Sequence, residues 1–346
     1  MKKKAYNKTP LSLADQLQSL KDTKGIVSDD DKGKIYDKKP LSFTQQLQKL
    51  KDRKLTISDD DKALHYLSQI SYYRLSAYFL PYQKTKDTFD AGTTFKQIID
   101  TYSFDRELRL LVFDAIERIE VAIRTQIIYC MATHHNNSHW QDDQNLFIQP
   151  FTVKAGFTID PYSDFQNIIS RAKEKKRPEV FIKHYLDNYD TPSNPPSWMC
   201  FELLTIGELS NIYRGLKNKD DKKRIASEFD LHPTIFTSWL HSLTYVRNIC
   251  AHHSRLWNKD LAVEPERLKK PVGDWLSDRY SNNNKRTFYL LSVIKYFLAR
   301  VNPNNSLTKK LEALIAKYPN IPVQYIGIPT DEDGNLLEWK EEAIWK

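Results

Sequence analysis

The chain has 346 residues, of which 40% are apolar, and a formal net charge of +8. That length can bury a sizeable core in one large domain or two. Glycine is scarce at 9, and no G-x-G-x-x-G or G-x-x-x-x-G-K-[ST] stretch occurs, which argues against Rossmann and P-loop nucleotide sites. The positive balance suits a polyanionic partner. The three cysteines, Cys130, Cys200 and Cys250, stand apart with no C-x-x-C spacing. They give neither a disulfide framework nor a zinc ribbon and are expected to be reduced, buried small groups.

The chain opens "MKKKAYNKTPLSLADQLQ", where Asp15 and Gln16 interrupt any apolar run. No signal peptide is expected. No apolar stretch approaches the ~20 residues needed to cross a bilayer. The expected location is the cytoplasm.

A repeat comes next. "KTPLSLADQLQSLKDTKGIVSDDDK" from Lys8 returns as "KKPLSFTQQLQKLKDRKLTISDDDK" from Lys38, with 16 of 25 positions identical. Each copy carries a Ser N-cap (Ser12, Ser42) followed three residues later by Asp15 or Gln45, the ends of a capping box. A short helix then carries Leu17 and Leu20 in one copy, Leu47 and Leu50 in the other. In "SDDDK", Ser58 with Asp61 predicts a second cap, and the carboxylates suit a helix start. Only the second copy runs on into a helical pattern, with Leu64, Leu67, Ile70, Tyr73 and Leu75. Residues 1–34 therefore form a duplicated arm.

The spacing predicts a long helix over Phe95 to Tyr129, with Leu108, Leu111, Ile116, Ile119 and Ile123 on its apolar face. Arg106, Arg109, Glu117, Glu120 and Arg124 are its polar complement. Glu120 and Arg124 make an i,i+4 pair. A loop-rich zone is expected from about His134 to Trp198. It holds the basic run Lys173, Lys175, Lys176 and Arg177, a weak candidate for RNA contact and more often a solvated face. Helices resume at "FELLTIGELSNIYRGL", "RIASEFDL" and "PTIFTSWLHSLTYVRNICAHH". In the last, Pro233 suits a first helical position, and Ile235, Trp239, Leu243, Val246 and Cys250 form a stripe. Further helices are expected at Arg286 to Val301 and Leu307 to Ala316, then an acidic tail. Strand patterns are nearly absent, so the fold class is all-α.

Three stretches could carry chemistry. "THHNNSHW" places His135 and His139 at the i,i+4 spacing of a helical metal pair, with His134 beside them. It lacks the Glu of H-E-x-x-H, and its Asn and Ser residues favour a loop, so no metal and no cofactor is expected. The Asp runs at 29–31 and 59–61 lack EF-hand spacing. "RNICAHHSRLWN" places Arg247, Asn248 and His252 close together. Five helical steps rotate about 140°, so Arg247 and His252 do not share a face. They could converge where the helix ends, or meet a second copy across a two-fold axis. An imidazole can exchange the protons of RNA cleavage, and a guanidinium can neutralise phosphate charge. From spacing alone, a capped helix end explains the stretch equally well.

Longer blocks add to this. "KPLSFTQQLQKLKDRKLTISDDDKALHYLSQISYYRLSAYFLPY", "FDRELRLLVFDAIERIEVAIRTQI", "WMCFELLTIGELSNIY", "VRNICAHHSRLWN" and "YIGIP" span most of the chain. In these the sequence resembles the Abi family of bacterial abortive-infection proteins (AbiD/AbiF type), and through it the HEPN superfamily. The resemblance implies a HEPN-like helical bundle over residues 35–330, with additional helices and a loop-rich insertion, flanked by the 1–34 arm and an acidic tail at 331–346. It implies an R-x(4–6)-H ribonuclease motif, which falls here on Arg247, Asn248 and His252. One motif per chain then requires a homodimer for a composite site. It implies an anti-phage toxin acting on RNA without a metal, with a structured small RNA as a further partner. His253, Arg255, Glu120 and Arg124 are second-tier candidates, and Trp257 is expected in the core. A non-catalytic RNA-binding protein is the competing class, and a zinc enzyme using His134, His135 and His139 a third.

Overall fold

The computed structural model describes residues 39–152, 156 and 158–346. The duplicated arm, residues 1–34, lies outside the described residues. The organising element is a forty-residue helix, α4 (Phe95–His134), preceded by α1 (Phe43–Asp52), α2 (Asp60–Ile70) and α3 (Tyr72–Ser76). A two-residue hairpin, β1 (Phe151–Thr152) with β2 (Thr158–Ile159), follows, and then α5 (Pro161–Lys173), α6 (Val180–Asn188) and α7 (Ser197–Cys200). The second half holds α8 (Ile206–Gly215), α9 (Lys219–Ser227), α10 (Pro233–Ala251), α11 (Asp278–Ser281), α12 (Thr287–Val301) and α13 (Leu307–Lys317). With that short hairpin as the only sheet among the described residues, the fold is all-α as expected.

Helix α4 starts at a capping box in which Thr94 and Gln97 bond each other's backbone. Its inner face carries Phe104, Leu108, Val112, Ile116, Ile119, Ile123, Ile127 and Met131, all buried. That spacing of three and four keeps one stripe facing inward along ~40 Å of helix. Helices α9, α10, α12 and α13 pack onto it, and α8 packs against both α4 and α10. Helix α12 is buried on nearly all sides, from Thr287 through Leu298. One contiguous apolar cluster joins these layers. No helix among the described residues is long and apolar enough to cross a membrane.

Several local expectations shift. The Ser42–Gln45 capping box forms, but α2 is capped by Asp59, which accepts from the Lys62 amide, and not by Ser58. The helical pattern through Tyr73 and Leu75 is broken at Ser71, whose φ of +70° ends α2 and starts α3. Tyr73 thereby leaves the apolar stripe and is 88% exposed. The zone expected to be loop contains α5 and α6. Helix α5 has clear local causes: Asp160 caps it, Pro161 occupies its first turn, and Phe165, Ile169 and Ala172 are buried. The acidic C-terminal stretch ends in buried Trp339 and Trp345. The Trp345 indole donates to Ser292 Oγ at 3.0 Å, which seats the chain end on α12. Cys130, Cys200 and Cys250 are all free and buried, and burial pushes the Cys250 thiol up to about 12.

Candidate active site

Helix α10 begins with Pro233 in its first turn and buries Phe236, Trp239, Leu240, Leu243, Val246, Ile249 and Cys250. The opposite side carries His241, Asn248 and His252, all exposed. Asn248 and His252 are four residues apart and so share that face. Arg247 lies between the two sides, half-buried, with its guanidinium 5.8 Å from the centroid of the Phe113 ring of α4. The His252 amide still makes a helical bond to the Asn248 carbonyl at 2.9 Å. Helical register therefore persists through His252, and the angular offset of about 140° from Arg247 is kept at the backbone.

The helix stops immediately afterwards. His253 has a φ of +55°. Its amide bonds the Cys250 carbonyl at 3.1 Å, and the Ser254 amide bonds the Ile249 carbonyl at 2.9 Å. These two bonds make a Schellman motif, in which the left-handed position is usually glycine. Here it is a histidine, and its conformation costs roughly 1–2 kcal/mol. Arg74 of α3 donates to the His253 carbonyl at 2.8 Å.

A buried carboxylate then fixes the chain beyond the motif. Asp105 of α4 is fully buried and accepts from the Trp257 amide at 2.7 Å, the Leu256 amide at 3.1 Å and the Tyr78 hydroxyl at 2.6 Å. It also pairs with Arg109 one turn along the same helix. Burial pushes the Asp105 carboxyl above its ordinary value, and Arg109, Tyr78 and the two amides oppose that shift. Arg109 was expected on the polar side of α4 and is 5% exposed instead, because it neutralises this carboxylate. Arg255 donates to the Ala77 carbonyl at 2.8 Å, a structural contact rather than a free substrate hook. Trp257 is fully buried beside Tyr78, as expected of a core residue. Asn258 accepts from Arg286 at 2.9 Å.

Glu120 and Arg124 form the expected ion pair at 3.1 Å. Arg124 also donates to the Leu204 carbonyl at 2.9 Å and reaches Glu202 at 3.3 Å, so it ties α4 to the segment before α8. Burial pushes the Glu120 carboxyl above its ordinary value, and Arg124 and then Arg247 oppose the shift. Glu120 is thus the carboxylate that shares the field of Arg247. In the basic run, Lys173 is occupied by the Ser193 carbonyl at 2.7 Å and Asn194 at 2.9 Å. Lys175, Lys176 and Arg177 are exposed beyond the end of α5.

The i,i+4 spacing of His135 and His139 does not become a helical pair. Helix α4 runs to His134, and His135 is its C-cap. Both rings turn to Asp221 of α9, while His139 Nδ1 lies 2.9 Å from Ser138 Oγ. Asp221 and Asp105 both escape a sequence-level search. Asp105 leaves one trace, an i,i+4 partner in Arg109 on an otherwise apolar helix face.

Two outcomes follow from this geometry. Asp105→Asn keeps the size of the side chain but loses the charge opposite Arg109 and turns a donor toward one of the donors it should accept from. It is expected to cost about 3–5 kcal/mol in urea denaturation. His253→Gly removes the left-handed strain while keeping the backbone bond to Arg74. It is expected to raise stability by up to about 1 kcal/mol, read as an upward shift in thermal midpoint.

The family model described as Abi-like protein matches residues 65–258, more than half of the chain. The match covers α4, α8, α9 and α10 and ends at Asn258, the last residue of the pinned loop. Comparison with curated proteins and with solved structures returned no match. The chain belongs to the Abi-like protein family, a membership that points to abortive-infection defence.

Proposed function

We propose that this protein is a metal-independent endoribonuclease of the HEPN type, acting in abortive infection through an R-x4-H site on Arg247, Asn248 and His252. The observation that carries the proposal is the placement of Asn248 and His252. They share the exposed face of α10 at its C-terminal end, and the loop beyond them is immobilised by Asp105. A polar pair held on a rigid element, with its neighbours spent on backbone contacts, suits positioned proton transfer. His252 takes the proton of a 2′-OH or gives one to the leaving 5′-oxygen. Arg247 neutralises charge building on the phosphate. Asn248 orients the group beside it. Glu120 holds the Arg247 region electrostatically, and Lys175, Lys176 and Arg177 offer phosphate contacts.

The offset between Arg247 and His252 favours a composite site, in which a second copy across a two-fold axis supplies the complementary groups. Helix α4 supports this. Leu110, Phe113 and Val121 lie on one face and are 56%, 38% and 48% exposed. Phe113 is the ring under Arg247. An exposed apolar face touching the motif is a surface that a second copy would cover. A structured small RNA is the remaining partner of this proposal.

The test is cleavage of bulk RNA by wild-type and His252→Ala protein, without added metal and again in EDTA. Wild type is expected to leave 2′,3′-cyclic phosphate ends. His252→Ala is expected to lose on the order of 10²–10⁴ in rate with RNA affinity retained. Equal cleavage by the two overturns the role of His252. Intact RNA held by both proteins moves the conclusion to a binding protein. Val121→Asp is expected to shift a dimer to a monomer in sedimentation velocity and to lower cleavage with it. Full cleavage by a wild-type monomer overturns the composite site.

A further inference from the structure

We propose that His134, His135 and Asp221 form a binding site for a zinc-class divalent transition-metal ion, separate from the R-x4-H strip. The three residues come from two elements, the C-terminal end of α4 and the first turn of α9. His134 presents Nδ1 to Asp221 Oδ1 at 2.7 Å, and His135 presents Nε2 to Oδ2 at 3.1 Å. One donor atom from each residue lies within 4.8 Å of the other two. Around a tetrahedral zinc ion, metal–ligand bonds of ~2.0–2.2 Å place donors roughly 3.3 Å apart. The two His–Asp distances, 2.7 and 3.1 Å, lie just below that value, so an ion requires the donors to move apart slightly.

The donor chemistry narrows the ion. Two imidazoles and one carboxylate suit zinc and its neighbours, whereas magnesium and calcium prefer an all-oxygen shell. Adjacent histidines use different ring nitrogens, Nδ1 and Nε2, to reach one point. Asp221 is fully buried, while the His134 and His135 side chains are 30% and 23% exposed. The carboxylate is thus the inner wall and the imidazoles face outward. A cavity of about 780 Å³ opens beside His134, lined in part by Cys130, Thr133, Asp220, Lys223 and Arg224. Three protein donors leave a fourth position for water or an anion. Lys223 and Arg224 give the cavity wall two cationic groups.

The site stands apart from the strip on α10. His134 is twenty-one residues beyond Phe113 on one helix, a separation on the order of 30 Å. It therefore does not depend on the nuclease proposal. An ion here reinforces the contact between the end of α4 and α9, which itself packs on α10.

The experiment uses full-length protein without a histidine tag, stripped with EDTA and dialysed. Cobalt titration is expected to give one equivalent per chain, with the visible d–d absorption of a four-coordinate ion, and zinc is expected to displace it and raise the thermal midpoint. Zinc affinity, measured against a chromophoric chelator, is expected to fall by about a hundredfold or more in His135→Ala and Asp221→Asn. His139→Ala, which alters a histidine bonded to Ser138, is expected to keep wild-type affinity. Circular dichroism checks that each variant is folded, and the wild-type cobalt spectrum stands without any variant. Wild-type protein that shows neither cobalt absorption nor a thermal shift overturns the site. So does binding that survives at wild-type affinity in both folded ligand variants.

Discussion

The bond set of Asp105 is the constraint on which the rest of this structure depends. A fully buried carboxylate is costly unless it is paired and hydrogen-bonded. Here one guanidinium, one phenol and two backbone amides converge on it. The amides belong to Leu256 and Trp257, in the chain that leaves α10. The phenol belongs to Tyr78, in the chain that leaves α3. A single side chain on the long helix therefore fixes two distant turns together. With Asp105 satisfied, Trp257 drops into the core and His252 is left at a defined helix end. Cores of this kind lose more from one missing partner than from loss of the whole network.

The same logic separates what is free from what is occupied around the strip. Arg74, Arg255 and Arg286 all bond backbone carbonyls or neighbouring side chains, so their charge is used for folding. Arg124 is likewise spent on Glu120 and on the Leu204 carbonyl. Arg247 differs: it rests against Phe113 in the field of Glu120. Asn248 and His252 face solvent. Asn248 and His252 are distinguished from these cations by their exposure.

Helix α4 links the two candidate sites. Its midpoint supplies Phe113 and Glu120 to the α10 strip, and its end supplies His134 and His135 to Asp221. Both sites place a histidine at a helix end. The long helix provides rigidity for this, because its buried stripe runs without interruption from Phe104 to Met131.

The sequence by itself determined the features whose causes lie within a few residues. The capping box of α1, Pro233 at the start of α10, the buried stripe of α4 and the absence of sheet patterns all rest on contacts one helical turn apart. Those contacts leave a periodic trace that can be read in one dimension. The proposed R-x4-H residues stand out in the sequence as a short local cluster within longer blocks of family resemblance. Helices α5 and α6 were missed because their short stripes sit among prolines and polar residues that also signal loops. The break at Ser71 was missed because nothing in its side chain announces a positive φ. The tertiary structure alone decided the partners of Asp105 and Asp221. Asp105 meets Leu256 across 151 residues, and Asp221 meets His134 across 87. A lone aspartate in a helical pattern reads as a solvated charge. Only packing removes the water and shows which donors must replace it.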